Sequence, residues 1–184
     1  MTGRLIAVVG PSGVGKDTVM AEMAARRPGL HVVRRAITRP AAASEPFEPL
    51  SEAAFARREA AGEFALAWRA HGLAYALPGG EVAGLAEGRD ALANLSRRAL
   101  GAAAARFPRL VILALEAPAE VLAARLAGRG RESAEEIAAR LARTAPLPDD
   151  LPADLPVIRI DNSGPPGAAA EAALAALYPE RAAS

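Results

Sequence analysis

No cysteine occurs among the 184 residues, and histidine appears only as His31 and His71. The first absence excludes disulfides, thiol nucleophiles and thiolate-bound metal; the second leaves no His-rich metal site, so a metal, if used, is held by oxygen. Aromatic residues make up 4% of the chain, and no apolar run approaches the roughly 20 residues that cross a bilayer. Charge of one sign is also missing. The balance of 22 basic and 21 acidic residues gives +1, so no global field gathers nucleic acid or anionic lipid. The opening Thr2-Gly3-Arg4 and the short run Leu5–Val9 are too brief and too soon broken by glycine for a signal peptide, which makes a cytoplasmic enzyme the expectation. Lysine is nearly absent too: Lys16 stands alone against arginine at every other basic position.

What remains, 52% hydrophobic and 23% charged, suits one soluble globular domain over residues 1–184. Leu5–Val9 is continuously apolar and ends in Gly10-Pro11-Ser12-Gly13, the pattern of a buried, central parallel strand. From Asp17, apolar positions recur at three and four (Val19, Met20, Met23, Ala24), which predicts a helix ending near Arg26-Arg27-Pro28-Gly29. Further strands are expected at Val32–Ile37, Ala91–Leu95, Leu110–Leu115 and Val157–Ile160. Helices are expected at Glu52–Ala61, Ser96–Arg106, Ala119–Ala127, Ala134–Arg143 and Pro166–Leu177. Pro118 marks a first helical turn, and Ser133 with Glu136 has capping-box spacing. Pro40–Pro49 and Pro146–Pro156 read as proline-rich loops. The alternation predicts an α/β fold with a parallel sheet flanked by helices.

Gly10-Pro11-Ser12-Gly13-Val14-Gly15-Lys16 fits the phosphate-loop pattern G-x-x-x-x-G-K, placed between a strand and a helix as that motif requires. Its glycines let successive N–H groups curl around a β-phosphate at a helix N-terminus, while Lys16 adds a positive charge to the β- and γ-phosphates. The loop therefore predicts nucleoside triphosphate binding by Gly10, Pro11, Ser12, Gly13, Val14, Gly15, Lys16, Asp17 and Thr18. After the lysine the pattern has Ser or Thr as a Mg²⁺ ligand; here Asp17 occupies that position and Thr18 follows. Asp17 is a candidate Mg²⁺ ligand, with the alternative that it complements the helix dipole.

A hydroxyl acceptor needs a carboxylate to take its proton. A phosphate acceptor is already ionised near pH 7 and needs positive charge and positioning instead. The candidates are arginines: Arg39 in Ile37-Thr38-Arg39-Pro40 at a strand end, and Arg129 and Arg131 in Gly128-Arg129-Gly130-Arg131 before the capped helix. Arg57, Arg58, Arg106 and Arg181 keep a solvated reading, and Arg140 has the option of an i,i+4 pair with Glu136.

Nearly the whole chain resembles the guanylate kinase-like nucleotide kinases. Gly10–Thr18 is similar to their phosphate loop and Thr38-Arg39-Pro40 to their phosphate clamp. Gly62-Glu63-Phe64 and His71-Gly72 with Tyr75 are similar to their acceptor-binding insertion, and Leu122–Gly130 with Ile137–Leu141 to their lid and following helix. The implied fold is a P-loop kinase core with an insertion near 34–90 and a lid near 128–145. The departures are Ala42 in place of a second acceptor arginine, Leu66 in place of the glutamate that reads guanine, and Asn94 and Ser96 in place of aspartates.

With Gly15-Lys16-Asp17-Thr18, Arg34–Pro40, Trp68 ahead of His71–Tyr75, and Asn94-Leu95-Ser96-Arg97, the chain resembles the ribose 1,5-bisphosphate phosphokinase family of phosphonate catabolism. That resemblance implies transfer of the ATP γ-phosphoryl to ribose 1,5-bisphosphate, giving 5-phosphoribosyl 1-diphosphate, with Mg²⁺ as cofactor. It implies catalytic roles for Lys16, Arg129 and Arg140, and acceptor binding by Arg35, Arg39, His71, Tyr75, Asn94 and Arg97. The expected partners are the phosphosugar and ATP, with a homodimer possible and neither nucleic acid nor membrane. The alternatives are a nucleoside monophosphate kinase and a non-catalytic interaction domain on the same fold, the latter disfavoured by the retained Gly13, Gly15 and Lys16.

Overall fold

The computed structural model of the chain describes residues 2–40, 46–128, 133–142 and 146–179. In chain order its elements are β1 (Leu5–Val9), α1 (Lys16–Arg26), β2 (His31–Val32), β3 (Ala36–Ile37), β4 (Glu48–Pro49), α2 (Glu52–Ala60), β5 (Phe64–Ala70), β6 (Leu73–Pro78), α3 (Gly79–Val82), β7 (Ala91–Asn94), α4 (Leu100–Arg106), β8 (Leu110–Glu116), α5 (Ala119–Ala127), α6 (Ala134–Ala142), β9 (Val157–Asp161) and α7 (Pro166–Leu177), with 3₁₀ turns at Ala83–Glu87 and Arg97–Ala99. Among the described residues no helix is long and apolar enough to cross a membrane.

All five side chains of β1 are buried, because both faces of the strand are covered. Ile6 and Val8 face a layer built from Val19, Met20 and Met23 of α1 and the alanines and Leu177 of α7. Leu5, Ala7 and Val9 face Leu100, Ala103 and Phe107 on one side and Leu66, Trp68 and Leu77 on the other. The parallel sheet runs β2-β7-β1-β8-β9, so β1 is its centre and the strand order reverses there. In such sheets ligands bind outside the C-terminal strand ends at that reversal, which is where residues 10–15 emerge.

A second sheet, β4-β3-β6-β5, packs on the Leu66–Trp68 side. Its antiparallel pair β5 and β6 turns through His71 (φ 52°) and Gly72 (φ 73°), two left-handed residues as a two-residue hairpin requires. This hairpin is absent from the sequence expectations. The expected strand Val32–Ile37 is two strands in two sheets: β2 pairs with β7, and β3 pairs with β6. Within the expected loop Pro40–Pro49, Glu48–Pro49 pairs with β3. Ser96–Arg106 opens as a 3₁₀ turn before α4. Pro118 caps α5 from outside instead of occupying its first turn. The capping box holds in both directions: Glu136 N–H donates to Ser133 Oγ at 3.2 Å, and Ser133 N–H to Glu136 Oε2 at 2.7 Å.

Candidate active site

The loop after β1 needs its glycines for two different reasons. A Cβ on Gly10 would stand 2.6 Å from the Leu115 carbonyl oxygen, so the close approach to β8 excludes any side chain. Gly13 (φ +84°) and Gly15 (φ +89°) take left-handed backbone, and a Cβ on Gly13 would also meet Leu126 Cγ at 3.0 Å. Lys16 opens α1 and folds back over the loop, donating from Nζ to the Gly10 and Pro11 carbonyls at 3.0 and 3.1 Å. The first-turn N–H groups of α1 have no intrahelical partner, and together with Lys16 they make a cradle for phosphate.

Asp17 sits in that first turn, and Asn94 at the end of β7 donates from Nδ2 to its Oδ1 at 2.9 Å. Two residues singled out separately from the sequence are thereby joined. Asn94 is 8% exposed, so this amide replaces solvent on one carboxylate oxygen. Thr18 is exposed on the helix surface. Among the described residues no three His, Asp or Glu side chains gather into a metal cluster, and Asp17 brings a carboxylate to the first turn after the loop.

Beyond Asn94, the Ser96 Oγ and Arg97 Nε are buried with no hydrogen-bond partner among the described residues. Burial pulls the Arg97 guanidinium below its ordinary pKa and nearby Arg159 adds to this, while Glu116 opposes it. Glu116 is itself ion-paired to Arg159. A half-buried guanidinium without a carboxylate bound to it is a costly arrangement unless an anion arrives.

The remaining acceptor candidates lie on the second sheet. The Thr38 Oγ1 accepts from the Ala74 N–H at 2.8 Å, fixing the turn that carries Arg39 past β3. The Arg39 guanidinium lies 4.6 Å over the Phe47 ring. Arg35 lies 5.8 Å from the Tyr75 ring centre, and Tyr75 stacks on buried Trp68 with centroids 5.4 Å apart. His71 is exposed at the hairpin turn. Arg129 and Arg131 lie outside the described residues; of Arg140 only the backbone position on α6 is described.

Two contacts with the phosphate loop escaped the sequence reading. Asn162, at the end of β9 and 2% exposed, donates from Nδ2 to the Val14 carbonyl at 2.6 Å. Arg125 of α5 donates to the Asn162, Ser163 and Gly164 carbonyls at 2.7, 3.3 and 3.1 Å and reaches the Val14 carbonyl at 3.5 Å. No sequence motif marks either residue, because both act across the tertiary fold.

A family profile described as an AAA domain matches residues 5–146. The chain is 48% identical over 183 residues to a ribose 1,5-bisphosphate phosphokinase from Ruegeria sp. (strain TM1040), covering 98% of this chain and 94% of that protein. It is 50% identical over 147 residues to a protein of the same name from Acidiphilium cryptum, covering 78% of each. A bifunctional ribose 1,5-bisphosphokinase-thymidine phosphorylase from Cupriavidus necator is 47% identical over 154 residues; the match covers 82% of this chain and 26% of that longer protein. Among solved structures, guanylate kinase from Anaplasma phagocytophilum superposes with a TM-score of 0.71 at 16% identity, covering 100% of this chain and 88% of that one, which shows a shared fold. The chain belongs to the ribose 1,5-bisphosphate phosphokinase family of P-loop kinases.

Proposed function

We propose that this chain transfers the γ-phosphoryl group of ATP to the 1-phosphate of ribose 1,5-bisphosphate, giving 5-phosphoribosyl 1-diphosphate and ADP. An oxygen of the acceptor phosphate attacks the γ-phosphorus, the bond from that phosphorus to the β,γ-bridging oxygen breaks, and its electron pair leaves on ADP. The attacking oxygen is already ionised near neutral pH, so no general base is required. The observation that carries this reading is the C-terminal edge of β7: neutral Asn94 and Ser96, followed by half-buried Arg97, which has no bound carboxylate among the described residues. That edge carries positive charge without a carboxylate, which suits an anionic acceptor. Leu66, at the position where a guanine reader carries glutamate, is packed into the core beside Trp68 and Leu77 and presents no polar atom.

In this reading the chain is one P-loop kinase domain, with the second sheet as the acceptor-binding insertion, near 34–90, and a lid near 128–145. The loop amides and Lys16 bind the ATP phosphates. Arg35, Arg39, Tyr75, His71, Asn94 and Arg97 form the acceptor side, and the family resemblance adds Arg129 and Arg140 as cations at the transferring phosphoryl. Asp17 fits a hard divalent cation: it offers carboxylate oxygens beside the phosphate cradle, one of them already oriented by Asn94. Mg²⁺ bound there with ATP supplies charge neutralisation on the triphosphate. The Lys16 ammonium and the loop amides stabilise charge on the β,γ-bridging oxygen as it leaves.

A nucleoside monophosphate kinase is the second reading, favoured by the guanylate kinase superposition and opposed by Leu66. Phosphorus NMR after mixing protein, Mg²⁺ and ATP with ribose 1,5-bisphosphate, GMP or AMP separates them. A diphosphate signal with the sugar bisphosphate alone is the expected result. Transfer to GMP alone overturns the proposal, and no transfer with no ATP binding favours a non-catalytic domain.

A further inference from the structure

We infer that Asn162, braced by Arg125, is a positioning residue for the phosphate cradle: holding the Val14 carbonyl from behind, it turns the Gly15 N–H toward the bound triphosphate. This rests on the ATP-binding reading of residues 10–18.

The Val14 carbonyl and the Gly15 N–H belong to one planar, trans peptide unit and therefore point in opposite directions. Fixing the first aims the second. The carbonyl receives the Asn162 amide at 2.6 Å and lies 3.5 Å from an Arg125 nitrogen. Asn162 is itself held at both ends of its backbone: its N–H donates to the Glu116 carbonyl at 2.7 Å, and its C=O accepts from Arg125 at 2.7 Å. Its side chain is thus presented to the loop by the ends of β8 and β9, the rigid part of the fold. Among the described residues the Gly13 and Gly15 amides donate to no backbone carbonyl, which leaves both for a ligand.

The need for such a brace follows from the glycines. Gly13 and Gly15 give the loop its left-handed turns, and the same freedom allows the Val14–Gly15 peptide to rotate as a unit. Rotation would place the carbonyl oxygen where the triphosphate oxygens lie, so the rotated loop repels the nucleotide. The brace also restricts the Gly15 side: a Cβ there would approach the Asn162 Nδ2 to 3.1 Å, so asparagine and glycine fit as a pair. Arg125 points its charge at carbonyl oxygens of the loop and of residues 162–164, a role for a cation distinct from phosphate binding.

If the brace sets the fraction of loops that can bind, its loss weakens apparent nucleotide affinity in proportion to that fraction and leaves turnover at saturation nearly unchanged. The experiment compares wild-type protein with Asn162→Ala, Asn162→Asp and Arg125→Gln. It measures KM for ATP, kcat, KM for the sugar bisphosphate, ADP affinity by calorimetry, and the ¹⁵N–¹H resonance of Gly15. The expected result is an ATP KM and ADP Kd raised about tenfold or more, kcat within about threefold, acceptor KM unchanged, and a broadened or displaced Gly15 resonance. Asn162→Asp, which sets carboxylate oxygen against carbonyl oxygen, has the largest effect. Should it fail to fold, Asn162→Ala and Arg125→Gln carry the comparison. Wild-type ADP affinity with an unmoved Gly15 resonance in Asn162→Ala overturns the inference. Failure of the wild-type protein to bind ADP overturns instead the nucleotide reading on which it rests.

Discussion

The two ends of the core sheet use the same residue types to opposite ends. At the N-terminal end, Asp90 accepts hydrogen bonds from the Arg4 N–H at 2.6 Å, from Arg4 Nε and Nη2 at 3.0 and 2.7 Å, and from the Tyr178 hydroxyl at 2.8 Å. The Tyr178 ring lies between two guanidiniums, with Arg4 at 4.6 Å and Arg27 at 3.6 Å. The Arg4 and Asp90 charges answer each other, and the network ties α7 to β1 and β7. Among the described residues at the C-terminal end, Arg97 has no bound carboxylate and Ser96 Oγ has no partner, and Arg125 is turned onto carbonyls. In the proposed reading, the matched network ties elements of the fold together, whereas the half-buried charge at the other end is left for a ligand that completes it.

The sharpest way to break that contrast is at Lys16. In the proposed reading its compact ammonium, folded back over the loop, lies between phosphates in a position that a planar guanidinium cannot copy. Lys16→Arg is therefore expected to lose about a hundredfold or more in kcat despite keeping its charge, as read by product formation. Next in size is Arg97→Ala, expected to raise the acceptor KM about tenfold, a loss of about 1.4 kcal/mol for a half-buried charge that contacts the acceptor phosphate in the proposed reading. The thermal midpoint of the free protein should hold steady or rise in that variant, because an unpaired buried charge has gone.

Asp90→Asn should do the reverse, leaving kcat and both KM values in place while lowering stability by about 1–3 kcal/mol in thermal unfolding. This effect depends on pH. Burial alone would raise the Asp90 pKa, but hydrogen bonds from Arg4 and Tyr178 outweigh it and hold the carboxyl below its ordinary 3.8. A depressed carboxyl pKa stabilises the folded state above the ordinary value, and that stabilisation disappears as pH falls through the lower, folded value. The midpoints of wild type and Asp90→Asn should therefore converge on acidification below about pH 4. The smallest effect is expected at His71, whose left-handed backbone at an exposed turn is one that Asn also tolerates. His71→Asn should change the acceptor KM by less than about threefold; a larger loss would make the imidazole a phosphate ligand.

What was legible in the sequence is what is written contiguously. Leu5–Val9, the glycine loop and α1 follow one another without interruption, and each confirms the next. The capping box at Ser133 and Glu136 is three residues wide and was equally plain. The link from Asn94 to Asp17 spans 77 residues and that from Asn162 to Val14 spans 148, so neither leaves a local trace. The Phe64–Pro78 hairpin was hidden by alanines that dilute the alternation of Phe64, Leu66 and Trp68, although His71-Gly72 between two apolar stretches was its available signal. Val32–Ile37 looked like one strand because composition cannot show that the chain leaves one sheet at Val33 and joins another at Ala36.

The ratio of kcat/KM for ribose 1,5-bisphosphate to that for GMP, measured on the intact chain with Mg²⁺ and ATP, bears most directly on a C-terminal edge built for a phosphate without a base. A ratio above about a hundred is expected, since Leu66 in place of a guanine-reading glutamate leaves the guanine edge without that hydrogen-bond partner. A ratio at or below one would contradict it, and would favour the nucleoside monophosphate kinase reading.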